Sequence, residues 1–161
     1  MNSVSKSCLV TLAVFSQAFF ALSASAGWFG SSKPAWSDED KRNFCHFLYS
    51  QRADGRATDI SNSTSSYASQ AEVSQLLSYW RLALQEASRV SDTVLDKTHP
   101  GLREKYRNQY QSGLQYQIAA FEQRNAEYSI TGAKLNSDFV DWFSAARNQF
   151  KVPKGTVSAC R

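Results

Sequence analysis

Residues that carry chemistry are scarce in this chain. Two histidines, His46 and His99, three cysteines and a single methionine occur in 161 residues. There is no C-x-x-C-H run for haem attachment and no E-x-x-H pair of a di-iron bundle. Asp96-x-x-His99 is a lone two-ligand spacing beside Pro100-Gly101, where a cap and turn account for it. No metal and no cofactor is expected. A G-x-S-x-G elbow is also missing, which leaves no marked nucleophile. Charge of one sign never accumulates: 18 Lys and Arg against 14 Asp and Glu give +4, spread along the chain. Nucleic-acid binders concentrate their basic residues in a stripe, so no nucleic-acid partner is expected. Alternating strand patterns are absent as well, which points to an all-α fold.

The first residues read as an export signal. Lys6 precedes an apolar run over residues 8–22, and Ser23-Ala24-Ser25-Ala26 supplies the small residues of an A-x-A cleavage site before Gly27. A membrane anchor needs roughly 20 apolar residues; this run is shorter and is interrupted by Ser16 and Gln17. Cys8 stands at the start of the run rather than after it, which disfavours a lipoprotein. Residues 1–26 are therefore expected to be a signal peptide and residues 27–161 a single domain, exported to the periplasm or secreted. That domain keeps Cys45 and Cys160. An even count in an exported chain favours a disulfide, and closing so long a loop stabilises by roughly 4–5 kcal/mol on chain-entropy grounds.

Four helices are expected. Residues 27–36 form an irregular aromatic lead-in with Trp28, Phe29 and Trp36. Ser37 can cap a first helix, with Asp38, Glu39 and Asp40 on the turn that the helix dipole makes favourable to acids. Phe44, Phe47 and Leu48 give it an apolar stripe, and Asp54-Gly55 is expected to end it. Residues 53–68 then read as a Ser/Thr-rich loop. Within it Asn62-Ser63-Thr64 matches a glycosylation sequon of the kind such loops produce by chance. Ser69-x-x-Glu72 is a capping box opening a helix to about Lys97, with Val73, Leu76, Trp80, Ala83, Ala87, Val90 and Val94 at spacings of three and four. Pro100-Gly101 breaks the pattern. A third helix is expected over residues 102–128, carrying Leu102, Tyr106, Tyr110, Leu114 and Ile118; Gly113 in its middle suggests close contact with a neighbour. Gly132 reads as a stop and Ser137-Asp138 as the start of a fourth helix with Phe139 and Phe143. Residues 151–161 form a tail. The elements assemble as a small antiparallel bundle of two long and two short helices closed by the Cys45–Cys160 bond.

Function has only surface composition to rest on. Arg103, Lys105 and Arg107 interleave with Tyr106, Tyr110 and Tyr116, and Arg124 follows. Tyr106 and Tyr110 belong to the core stripe, which leaves Tyr116, Arg107 and Arg124 as candidate contacts of the kind enriched in hot spots. Trp28 and Phe29 are a second candidate, able to cover one end of the bundle or to dock a partner. A membrane surface fits them poorly, because an interfacial segment pairs its apolar face with several basic residues. Glu72, Glu86, Glu104, Glu122 and Glu127 lie on helices, Glu72 as a cap and the others beside Arg or Lys. The expectation is a non-catalytic binding or adaptor protein contacting another protein, as an inhibitor, an immunity-type partner or an assembly component. The alternatives are a small enzyme acting on cell-wall polymer, which would need two carboxylates across a cleft, and a host-directed effector.

Overall fold

The computed structural model describes residues 35–63 and 69–160. The expected signal peptide lies outside them. Every regular element among the described residues is helical. In chain order these are α1 (Asp38–Ser63), α2 (Gln70–Arg89), α3 (Asp92–Thr98), α4 (Leu102–Lys105), a wider π-helical segment (Tyr106–Gln111), α5 (Ser112–Glu122), α6 (Ala126–Ala146), a short 3-10 turn (Arg147–Gln149) and α7 (Thr156–Ala159). The all-α, disulfide-closed bundle expected from the sequence is what the chain forms.

α1 begins as anticipated. The Asp40 N–H donates to Ser37 Oγ at 3.0 Å while the Ser37 N–H donates to the Asp40 carboxylate at 2.7 Å, so each satisfies an orphan donor of the other. The helix does not stop at Asp54-Gly55, however. It continues to Ser63, and the expected loop over residues 53–68 is helical as far as it is described beyond residue 53 up to that point. A methyl group on Gly55 would meet nothing within 4 Å; this glycine is an ordinary helical position and not a terminator. The inward positions of this second half are Ser50, Gln51, Asp54, Thr58 and Ser61, with Ala53 and Ala57 between them. A polar inner face erased the apolar period that would have revealed the helix.

α1 and α2 run antiparallel. Asn43 contacts Arg89 and Ser91, His46 contacts Glu86, and Ser50 contacts Ala83, so residue numbers fall on one helix as they rise on the other. The capping box at Ser69 and Glu72 is present in full. The predicted continuous helix to Lys97 is instead two. Val90 is extended, and Ser91 caps α3 by accepting from the Val94 N–H. Val90 and Val94 are both buried, so their apolar spacing ran across the break unnoticed.

α4, the π segment and α5 follow one another directly. The wider turns bring both Tyr106 and Tyr110 into the core, fully buried and stacked at 5.1 Å. The expected helix to residue 128 ends early, at Glu122. Arg124 takes a left-handed conformation (φ 53°) and Asn125 caps α6 through the Glu127 N–H. No glycine or proline marks that turn. Gly132, expected as a stop, sits inside α6, and the expected start at Ser137-Asp138 is mid-helix. The reason is a close helix crossing. A Cβ at Gly132 would stand 2.9 Å from the Gly113 carbonyl oxygen, and one at Gly113 would stand 2.0 Å from Asn136 Oδ1. The contact foreseen for Gly113 is thus made with the very glycine read as a terminator.

The tail is pinned. The Lys151 N–H donates to the Thr98 carbonyl at 2.9 Å, α7 follows, and Cys160 is fully buried and bonded to Cys45 with Cα atoms 5.2 Å apart. The core runs from Phe44, Phe47 and Trp80 through Tyr106 and Tyr110 to Phe139 and Phe143.

Candidate functional site

The continuation of α1 past Gly55 builds a surface that the sequence reading had no means to assemble. Tyr49, Arg52 and Arg56 recur at i, i+3 and i+7 on α1; Tyr79, Leu82 and Glu86 do the same on the antiparallel α2. Residues so spaced share a helix face, and the two stripes with Ala53 border a solvent-open cleft of about 330 Å³. That is the lower end of the size range of ligand sites.

The walls are made of arginine and tyrosine. The Arg52 guanidinium lies over the Tyr49 ring at 5.8 Å and that of Arg56 over the Tyr79 ring, also at 5.8 Å. Arg52 also donates from one Nη to the carbonyl of Cys160 at 2.8 Å. The disulfide therefore fixes the backbone oxygen that holds Arg52. Leu82 is 42 % exposed, one of few large apolar side chains to be so.

Glu86 is the single acidic residue of the lining. It is buried, and both its oxygens are engaged: one accepts from Arg89 at 2.8 Å and the other meets His46 Nδ1 at 2.6 Å. It is thus directed toward its own partners. Among the described residues neither Arg52 nor Arg56 has an ion-pair partner. Among the described residues the cleft consequently presents two unpaired positive charges one helical turn apart. A second carboxylate facing Glu86, as a two-carboxylate hydrolase would need, is not in the lining.

Behind the cleft the inward face of α1 carries a buried polar cluster. Ser50 donates its only hydroxyl hydrogen to the Ala83 carbonyl at 2.8 Å, so the Tyr110 O–H donates to Ser50 Oγ at 2.9 Å. Burial pushes the Asp54 carboxyl up to about 7, opposed in part by the Trp80 indole that faces it. The same burial raises the phenols of Tyr106 and Tyr110 well beyond their ordinary range. Gln51 Nε2, Asp54 Oδ1, Thr58 Oγ1 and Ser61 Oγ find no hydrogen-bond partner among the described residues.

The residues singled out from the sequence do not gather into one patch. Trp28 and Phe29 lie outside the described residues. Arg107 is turned inward: its guanidinium donates to the carbonyls of Ala87 and Val90, to Gln111 and to Asp92, capping the broken end of α2. Tyr116 is 39 % exposed and stands edge-on to Tyr128 at 5.6 Å. Arg124 is exposed in the turn after α5, roughly 25 Å along the helical axis from Arg107 at about 1.5 Å per residue. Glu122 pairs with Arg81 at 2.6 Å on the surface. Cys45 and Cys160 are joined as expected. The signal that would have found Arg52 and Arg56 is their i, i+4 spacing, which has meaning only if α1 continues. No family model, curated protein or solved structure matches the chain.

Proposed function

We propose that this chain is an exported, non-catalytic binding protein that contacts another protein through its helical surface, and that the α1–α2 cleft is the anchor of that contact. The observation that carries this reading is the pair of arginines, Arg52 and Arg56, which lie over Tyr49 and Tyr79 without an ion-pair partner among the described residues. Arginine and tyrosine dominate binding hot spots because each combines large contact area with polar groups at low flexibility. The Cys45–Cys160 disulfide supports an address outside the cytoplasm, where such bonds persist. Export follows from the cleavable signal read over residues 1–26. Inhibitor, immunity-type partner and envelope assembly component are the roles this chemistry suits.

The test is affinity capture with the oxidised protein lacking residues 1–26, from the envelope or medium of its source. One partner should be retained by the native protein and by a Tyr116→Ala, Arg124→Ala variant, and lost by Arg52→Gln, Arg56→Gln. Retention by that last variant would remove the cleft from the contact. If instead Glu86→Gln abolished hydrolysis of cell-wall polymer by a protein that remained folded, the binding reading would give way to an enzyme.

A further inference from the structure

The cleft also specifies what it takes, given the binding reading above. We infer that its ligand is an acidic protein segment, in which two carboxylate side chains flank an apolar one. Arg52 and Arg56 stand four residues apart on one helix face, which places their Cβ atoms about 5–6 Å from each other. Each guanidinium keeps donors for a carboxylate among the described residues, where Arg52 uses one nitrogen on Cys160 and Arg56 lies over the Tyr79 ring without a hydrogen bond or ion pair. Glu86 does not neutralise them, because Arg89 and His46 occupy it. On α2, the other wall of the cleft, the exposed Leu82 offers apolar area that a purely ionic ligand would leave in water. Among the described residues the cleft is open to solvent, so a side chain can enter it from a longer chain.

Pre-organisation strengthens the match. Each guanidinium lies over a tyrosine ring, and the Cys160 carbonyl anchors one of them to a backbone that the disulfide holds. Less side-chain freedom is then lost when a carboxylate arrives. A polyanion such as a phosphate chain would share the charge but gain nothing from Leu82.

The experiment uses the oxidised protein without residues 1–26 and blocked, fluorescein-labelled peptides of sequence Gly-Ser-Glu-Leu-Glu-Ser-Gly, with Gln-Leu-Gln and Glu-Ser-Glu counterparts, read by fluorescence anisotropy. The Glu-Leu-Glu peptide should bind at least about tenfold more tightly than the Gln-Leu-Gln one, and its affinity should fall with added salt. Arg52→Gln with Arg56→Gln should remove that preference, while Leu82→Ser should bring the Glu-Leu-Glu affinity down to that of Glu-Ser-Glu. Far-ultraviolet circular dichroism confirms that each variant is folded. Equal binding of the neutral peptide, undiminished binding by the double arginine variant, or displacement by inorganic hexametaphosphate with Leu82→Ser unaffected would each overturn the inference, the last in favour of a polyanion. If the natural partner is captured through Arg52 and Arg56 but no acidic peptide binds, the ligand assignment fails and the binding surface stands; if capture fails as well, both fall.

Discussion

The two halves of α1 are buried by different means. In the first, Phe44 and Phe47 stack at 5.4 Å and pass the contact on to Tyr106 and Phe143. In the second, the buried positions are Ser50, Gln51, Asp54, Thr58 and Ser61, spaced by alanines that let α2 approach. One half is held by ring packing. The other depends on small size, a few hydrogen bonds and a carboxyl that burial keeps protonated up to about pH 7. The outward face of that second half is also where the arginines of the cleft sit. Buried polar packing and the cleft arginines thus share one stretch of α1 but occupy opposite faces of it.

The sharpest way to break the contrast is truncation in the aromatic half. Phe47→Ala should lose about 3–5 kcal/mol, the usual cost of emptying a fully packed aromatic site, as measured by chemical denaturation. The polar half should answer to pH instead. Folded Asp54 holds its proton up to about 7 against an ordinary value of 3.8, so the stabilisation is complete below about pH 4, is lost as pH rises toward 7, and stays lost above it. The span is up to about 4 kcal/mol at 1.36 kcal/mol per unit. Asp54→Asn should flatten this profile and raise the melting temperature at pH 8 more than at pH 5; equal effects at both would show that the carboxyl is not the cause.

Glycines sharpen the comparison at smaller scale. Gly132→Ala places a methyl group against the Gly113 and Gln117 backbones and should destabilise by about 1–3 kcal/mol, as overpacking does. Gly55→Ala lies in open space within α1. It should stabilise by about 0.5–1 kcal/mol through helix propensity, whereas a true helix end at Asp54-Gly55 would gain nothing.

The same contrast explains what could be read from the sequence. Phe44, Phe47 and Leu48 announced the aromatic half, and cysteine parity announced the Cys45–Cys160 bond. The polar half was invisible because Ser50, Asp54 and Thr58 occupy positions where a periodic reading requires apolar residues, and Gly55 looked like punctuation. Arg52 and Arg56 were lost with it, since a pair of arginines four apart in a loop shares no face. At Gly132 the error ran the other way: a residue chosen for close helix approach carries the same letter as a stop. The turn at Arg124 has neither glycine nor proline, and Asn125 as a cap was its only mark.

The most direct test of the central claim is a hydrogen-exchange footprint of the oxidised protein with and without a saturating acidic Glu-Leu-Glu peptide. Protection should rise in the peptides covering Tyr49 to Arg56 and Tyr79 to Glu86, and stay unchanged around Tyr116 and Arg124. Protection centred on Tyr116 and Arg124, with the α1–α2 cleft unaltered, would contradict it.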